Sequence, residues 1–179
     1  MRVSAFLKLG LLLSAGPVLG VLATISSNAQ TPADAAQSAQ SIPVDAQQLF
    51  AYLQAENYKA FTAQESVRHP SAGPHTRVGN EVRVYMNAAL DDSLASGADQ
   101  HPAGAGVVKE MFAKNGKLRG WAVAVKTEAD SQDGNGWYWY EVKSTTDNSN
   151  PVAAANGVAL CTGCHAAGQD FVLSAYPLN

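Results

Sequence analysis

The residues best equipped for chemistry lie near the end of the chain. Cys161-Thr162-Gly163-Cys164-His165 uses both cysteines of the sequence and sets a histidine directly after the second. Two thiols at this spacing can each add to a vinyl group of haem, and the adjacent His165 can then reach the iron from the proximal side. Three other uses of the same residues compete. A structural zinc site needs two further Cys or His ligands, and His69, His75 and His101 fall on separate loop-like stretches suited to exposure. A thioredoxin-like redox pair needs a βαβ setting, whereas the flanking sequence reads as antiparallel hairpin and loop. A disulfide across two residues closes a small, strained ring. The expected cofactor is therefore one covalent haem c, attached at Cys161 and Cys164, with His165 as the metal ligand.

Position along the chain bears on the iron's other face. Only fourteen residues follow His165, and none is Met, His or Lys. A sixth ligand has to come from upstream, where Met86 and Met111 are candidates. Both sit in strand-like alternation, in which a methionine usually packs a core. The expectation is a five-coordinate iron with an open distal face, suited to binding or activating a small molecule.

These residues must be positioned by a single domain, because 179 residues leave little room for a second core. The start of the chain reads as an export signal. Met1-Arg2 and Lys8 supply positive charge, Leu9 to Ile25 is largely apolar, and Ser27-Asn28-Ala29 offers small residues for cleavage after Ala29. An uncleaved anchor is the alternative, since roughly 17 apolar residues lie at the short edge of a membrane span. Residues 30–40, rich in Ala, Gln, Ser and Thr, read as a flexible leader, and the domain as 41–179. The net charge is −3 over the full chain, or −5 once Arg2 and Lys8 are removed with the signal. With no basic cluster, nucleic acid is not expected as a partner. Export to the periplasm fits the haem expectation, because c-type attachment takes place outside the bacterial cytoplasm. No later segment is long enough to hold the mature protein in a membrane.

Within the domain, Ser41, Pro43 and Asp45 carry helix-start chemistry, and Leu49, Phe50, Leu53, Tyr58 and Phe61 recur at helical spacing. One helix, or two short ones, is predicted over 43–62. Residues 81–87 alternate as a strand, and 87–96 read as a short helix capped by Gly97. Residues 106–113 and 118–127 flank an Asn115-Gly116 turn and predict a hairpin. In Trp137-Tyr138-Trp139-Tyr140 neither strand face suits bulk water, so the strand is either central and packed on both sides or has one face against a cofactor or another subunit. The fold class is α+β, a mainly antiparallel β-sheet with a few short helices and the haem motif at the C-terminal end.

Arg83-Val84-Tyr85-Met86-Asn87, Gly106-Val107-Val108-Lys109-Glu110, the aromatic strand at 137–140, and Cys161–His165 followed by Gln169-Asp170-Phe171-Val172-Leu173-Ser174 together resemble the cytochrome P-460 family, which includes the β-sheet cytochromes c-prime-beta. The resemblance covers about residues 43–177. The strand patterns separate the chain from the four-helix cytochromes c-prime, which also carry a C-terminal haem motif. The resemblance implies a homodimer that holds haem c through His165 under a distal pocket, and it leaves function at a fork. Cytochromes P-460 oxidise hydroxylamine, pass electrons to another cytochrome and carry an extra lysine–porphyrin bond. The c-prime-beta members lack that bond and bind nitric oxide or related gases. The matching lysine is Lys109, flanked on its strand face by Val107 and Met111. Its ammonium either snorkels at a sheet edge or sits in a low-dielectric site that makes the amine nucleophilic. Arg83 is placed on the distal side as a cation for a bound nitrogen oxide or a propionate. Catalytic members need a carboxylate there as proton acceptor. Asn156 stands in that region, leaving Glu110, Glu141 or an acid of the 128–133 loop as substitutes.

Overall fold

The computed structural model describes residues 41–76 and 80–179. The expected signal peptide and leader, 1–29 and 30–40, lie outside the described residues.

Helix α1 (Ala46–Gln54) begins at Asp45, whose carboxylate accepts from the Gln47 and Gln48 N–H groups at 3.0 and 2.9 Å. A side-chain oxygen here satisfies amides that have no helical partner. Glu56 at φ 58° then breaks the helix, and a 3-10 turn follows at Asn57–Ala60. The predicted 43–62 region is thus two short pieces. Strands β1 (Ala63–Gln64) and β2 (His69–Pro70) are two-residue pairings against β3 (Glu81–Met86). Helix α2 (Ala88–Ala95) is capped by the Asn87 side chain. Strands β4 (Gly106–Phe112) and β5 (Leu118–Lys126) form the predicted hairpin, with Gly116 at φ 76° in its turn. Strand β6 (Trp137–Val142), strand β7 (Ala153–Asn156) and helix α3 (Ala159–His165) complete the order. No sequence signature marks β7 or α3, whose Ala-rich residues suit a strand and a helix alike.

The strands run β1-β3-β4-β5-β6-β7 in one antiparallel sheet, with β2 also on β3. With three short helices among the described residues, this is the expected α+β class. Alternation divides the sheet's side chains between two cores. One face carries Tyr85, Val108, Trp121, Val123, Val125, Tyr138, Tyr140 and Val142 against Leu49, Tyr52 and Leu53 of α1 and Tyr58 and Phe61 beyond it. The other carries Val84, Met86, Ala124, Trp137, Trp139 and Ala153 against Leu90, Ala105 and Val172. The aromatic strand is therefore an interior one packed on both sides, every residue of it buried. Gly120 belongs in β5 because a β-carbon there would lie 1.9 Å from the Val142 carbonyl oxygen.

Glu110 lies on the α1 face. It is 4% exposed and accepts from the Tyr58 hydroxyl at 2.6 Å and the Tyr85 hydroxyl at 3.1 Å, while Trp121 Nε1 donates to the Tyr58 oxygen at 3.1 Å. Burial, and then Glu110's charge, push the Tyr85 hydroxyl up to about 12, so the tyrosines remain donors. Glu110→Ala leaves both hydroxyls without an acceptor and is expected to cost about 3 kcal/mol in urea unfolding, Glu110→Gln distinctly less. Equal losses in the two variants would contradict this role.

Candidate functional site

Helix α3 puts Cys161, Cys164 and His165 at i, i+3 and i+4, hence on one side of the helix. The two thiols are free, Cys161 half-buried and Cys164 exposed. Burial, then the charges of Glu141 and Cys164, push the Cys161 thiol up to about 11, the reverse of a redox-active thiolate. None of the seven residues of α3 is buried. The loop beneath it fits closely because Gly134, at φ 95°, has no β-carbon; one would lie 2.4 Å from Thr162 Cγ2.

His165 closes the helix with its Nδ1 at 2.8 Å from the Phe171 carbonyl oxygen. Nδ1–H donates to that oxygen, which leaves Nε2 as the ring nitrogen with a free lone pair. The ring lies edge-on to Trp139, centroids 4.7 Å apart, and 6.1 Å from the His75 ring. Burial first, then the Lys109 and His75 charges, lower the His165 pKa against the pull of the carbonyl, favouring neutral imidazole.

The carbonyl is turned toward His165 by an unusual stretch of backbone, in which Asp170 and Phe171 have φ of 44° and 68°. Asp170 is held by Lys126 Nζ, by the Ser131 hydroxyl and by the His101 N–H at 2.7 Å. The Lys126–Asp170 pair is almost completely buried, 0% and 3% exposed. His101, expected on an exposed loop, is 1% exposed, its Nδ1 at 2.9 Å from the Ser93 hydroxyl.

Cross-strand register builds the sheet face beneath α3. Val84, Lys109, Ala122, Glu141 and Ala153 form one row, and Met86, Val107, Ala124, Trp139 and Ala155 the next. Ala122 and Ala124 are the small side chains at the centre of these rows, and Lys109 and Ala122 keep solvent access although they lie on interior strands. Lys109 lies on an interior strand and not at a sheet edge. Burial lowers its pKa, opposed by Glu65 and Glu141, and no hydrogen bond or ion pair engages the ammonium among the described residues. Glu141, 7% exposed, accepts from His75 Nδ1 at 2.8 Å, and Lys143 Nζ lies 3.4 Å from its other oxygen. Burial alone would raise the Glu141 pKa; His75 and Lys143 outweigh it and hold it low.

Several sequence expectations need correction. Arg83 pairs with Glu110, so the two-residue period turns it away from Lys109. Its Nε donates to the Glu65 carbonyl at 2.7 Å and its guanidinium lies over the Tyr85 ring. Of the substitute carboxylates, Glu110 faces the α1 core and Glu128, Asp130 and Asp133 are exposed. Glu141 alone lies in the Lys109 row. Asn156 is exposed and donates to Thr127 Oγ1 at 2.7 Å and the Asn135 carbonyl at 3.0 Å. Met86 is completely buried and Met111 2% exposed, both as core residues. His75 was missed as a site residue, because nothing in a Pro- and Gly-rich loop announces a partner sixty-six residues away.

Among the described residues no three His, Cys, Asp or Glu side chains converge as metal ligands. No described helix is long and apolar enough to cross a membrane. The fold and site define an α+β protein in which a Cys-x-x-Cys-His helix meets the sheet face that carries Trp139. No family model, curated protein or solved structure matches the chain.

Proposed function

We propose that the chain is an exported monohaem c-type cytochrome resembling the cytochrome P-460 family, acting on hydroxylamine or binding nitric oxide and related small nitrogen oxides. The observation that carries this reading is the state of α3: two free thiols and a histidine share one side of an exposed helix, and a backbone carbonyl occupies Nδ1 so that Nε2 is free. The surroundings fit a flat apolar group. Leu160 and Leu173, 64% and 50% exposed, present apolar surface on and just after α3.

In this reading Cys161 and Cys164 form the thioethers and His165 Nε2 takes the iron. When bound, the haem supplies an iron that exchanges single electrons and holds small nitrogen oxides. Trp139 packs against the His165 ring, and the Phe171 carbonyl fixes its orientation. Lys109 supplies an amine whose burial favours the neutral, nucleophilic form, the state needed for a bond to the porphyrin. Glu141 is the carboxylate of the site and is already engaged by His75 and Lys143. That engagement favours the second reading, a nitric oxide binder without turnover. An electron carrier using Met86 or Met111 is weakened by the burial of both in cores. A periplasmic homodimer that passes electrons to a partner cytochrome completes the proposal.

Mapping the haem peptide by mass spectrometry tests it. The hydroxylamine-oxidising form is expected to give a peptide joining Lys109 to the haem held at Cys161 and Cys164, with a red-shifted ferrous Soret band. Haem on the two cysteines with Lys109 free would leave the gas-binding form.

A further inference from the structure

We propose that the cavity at the β4–β5 hairpin end of the sheet, walled by Arg119 and Lys143, binds a carboxylate that carries an apolar group. The site goes beyond the haem reading and stands without it. Two sources can supply such a carboxylate. One is a free organic acid; the other, a propionate of the haem, is the only part that rests on the haem reading.

The cavity opens on the sheet face that carries Lys109. Met111 follows Lys109 by two residues along β4, so the alternation of the strand gives both the same face. Opposite Met111 stands Gly120, which adds no side chain, and a β-carbon there would lie 3.0 Å from Lys143 Cα. The space at this point is a cavity of about 310 Å³, bounded by Met111, Phe112, Arg119 and Lys143 and, from the β2–β3 connection, by Pro74 and His75. Small-molecule sites begin at roughly that volume, about 300 Å³.

Arg119 reaches the cavity because the hairpin is irregular. Gly120 pairs with Met111 but Leu118 with Phe112, which makes Arg119 the extra residue of a β-bulge. A bulge interrupts the two-residue alternation and re-aims a side chain. In a regular ladder Arg119 would face away from Met111; here both bound one cavity.

The cations at this wall have donors to spare. Among the described residues no hydrogen bond or ion pair engages the Arg119 guanidinium. Glu141 is engaged by His75 and Lys143 instead, and Lys143 Nζ, 3.4 Å from it, belongs to a side chain 50% exposed. A third cation, Arg68, lies over Phe112, 3.5 Å from the ring centre. An arginine that only solvates the surface needs neither a bulge nor a cavity. A guanidinium fork matches both oxygens of a carboxylate, and Pro74, Met111 and Phe112 favour an anion with an apolar body over a bare inorganic ion.

Benzoate is the probe, titrated by calorimetry into the holoprotein and into the Cys161→Ala/Cys164→Ala protein, which carries no covalent haem. A free-acid site is expected to bind it in both forms. A site already filled by a propionate is expected to bind it in the cysteine variant alone, and Arg119→Ala should then lower the reduction potential of the holoprotein. In each form that binds, Arg119→Ala is expected to weaken benzoate at least about tenfold, because a charge-assisted pair of hydrogen bonds is lost. Arg119→Lys should weaken it nearly as much, since lysine keeps the charge without the fork. Benzamide, of the same shape and uncharged, should bind at least about tenfold more weakly than benzoate. Binding in neither form, an affinity unchanged in Arg119→Ala, equal affinity for benzamide, or a potential unchanged where haem excludes benzoate overturns the proposal and leaves haem attachment standing. A wild-type protein without haem at Cys161 and Cys164 overturns the haem reading and leaves the free-acid site to be read from the same titration.

Discussion

With Cys161 and Cys164 both exchanged for alanine, the protein is expected to carry no covalent haem, read as loss of haem staining on a denaturing gel. The thiols are the only two in the chain, and nothing else here can form a thioether. Cys164→Ala alone is expected to leave haem held by one bond. The double variant should also lose order around α3. A seven-residue helix is too short to persist by its own hydrogen bonds, and none of its residues is buried. The chain between Val158 and Leu173 should then become a site of protease cleavage, while the sheet, whose two cores involve few of these residues, remains intact. Haem staining of the double variant equal to that of the wild type would contradict the attachment chemistry at its root.

Asp170→Asn is the substitution expected to cost most stability. The wild-type carboxylate is bonded to Lys126 Nζ, the Ser131 hydroxyl and the His101 N–H, and Ser131 Oγ also accepts from Trp137 Nε1 at 3.2 Å. Removing the charge strands the Lys126 ammonium, 0% exposed, with a neutral amide, and breaking a buried pair in this way typically costs 3–5 kcal/mol. The pH dependence has a definite sign. Burial alone would raise the Asp170 pKa; Lys126, Ser131 and the His101 N–H outweigh it and hold it below the ordinary 3.8. A depressed carboxyl contributes stability above its unfolded value and loses that contribution as pH falls through the folded one. Urea midpoints measured from neutral pH down to about pH 3 should therefore fall in the wild type at the acid end. In Asp170→Asn they should be low throughout, with that acid limb reduced. A neutral-pH midpoint equal to wild type would show that Lys126 finds another partner.

Much of the scaffold was legible because the relevant physics is local. The β4–β5 hairpin follows from an Asn-Gly turn between β-branched runs, α2 from Asn87 as its cap, and the burial of β6 from aromatics on both of its faces. Strand β7 and helix α3 escaped notice because alanine serves in either element and their assignment comes from what they pack on. Arg83 was misplaced for a different reason. Alternation tells which residues share a face within one strand, but which face meets α3 depends on pairings with distant strands.

By itself the sequence singled out the residues best equipped for chemistry: both thiols and a histidine fall within five positions, the spacing from which a covalent haem c is expected. Lys109 stood out only through the family resemblance, since its place between Val107 and Met111 left its environment open. Tertiary structure decided which groups surround them. Glu141 comes into the Lys109 row through two strand registers, His75 reaches Glu141 from a loop sixty-six residues earlier, and Asp170 meets a buried Lys126 across forty-four. Each contact joins charged or polar groups whose partners are chosen by burial. Burial is a property of the packed sheet, and no spacing along the chain encodes it.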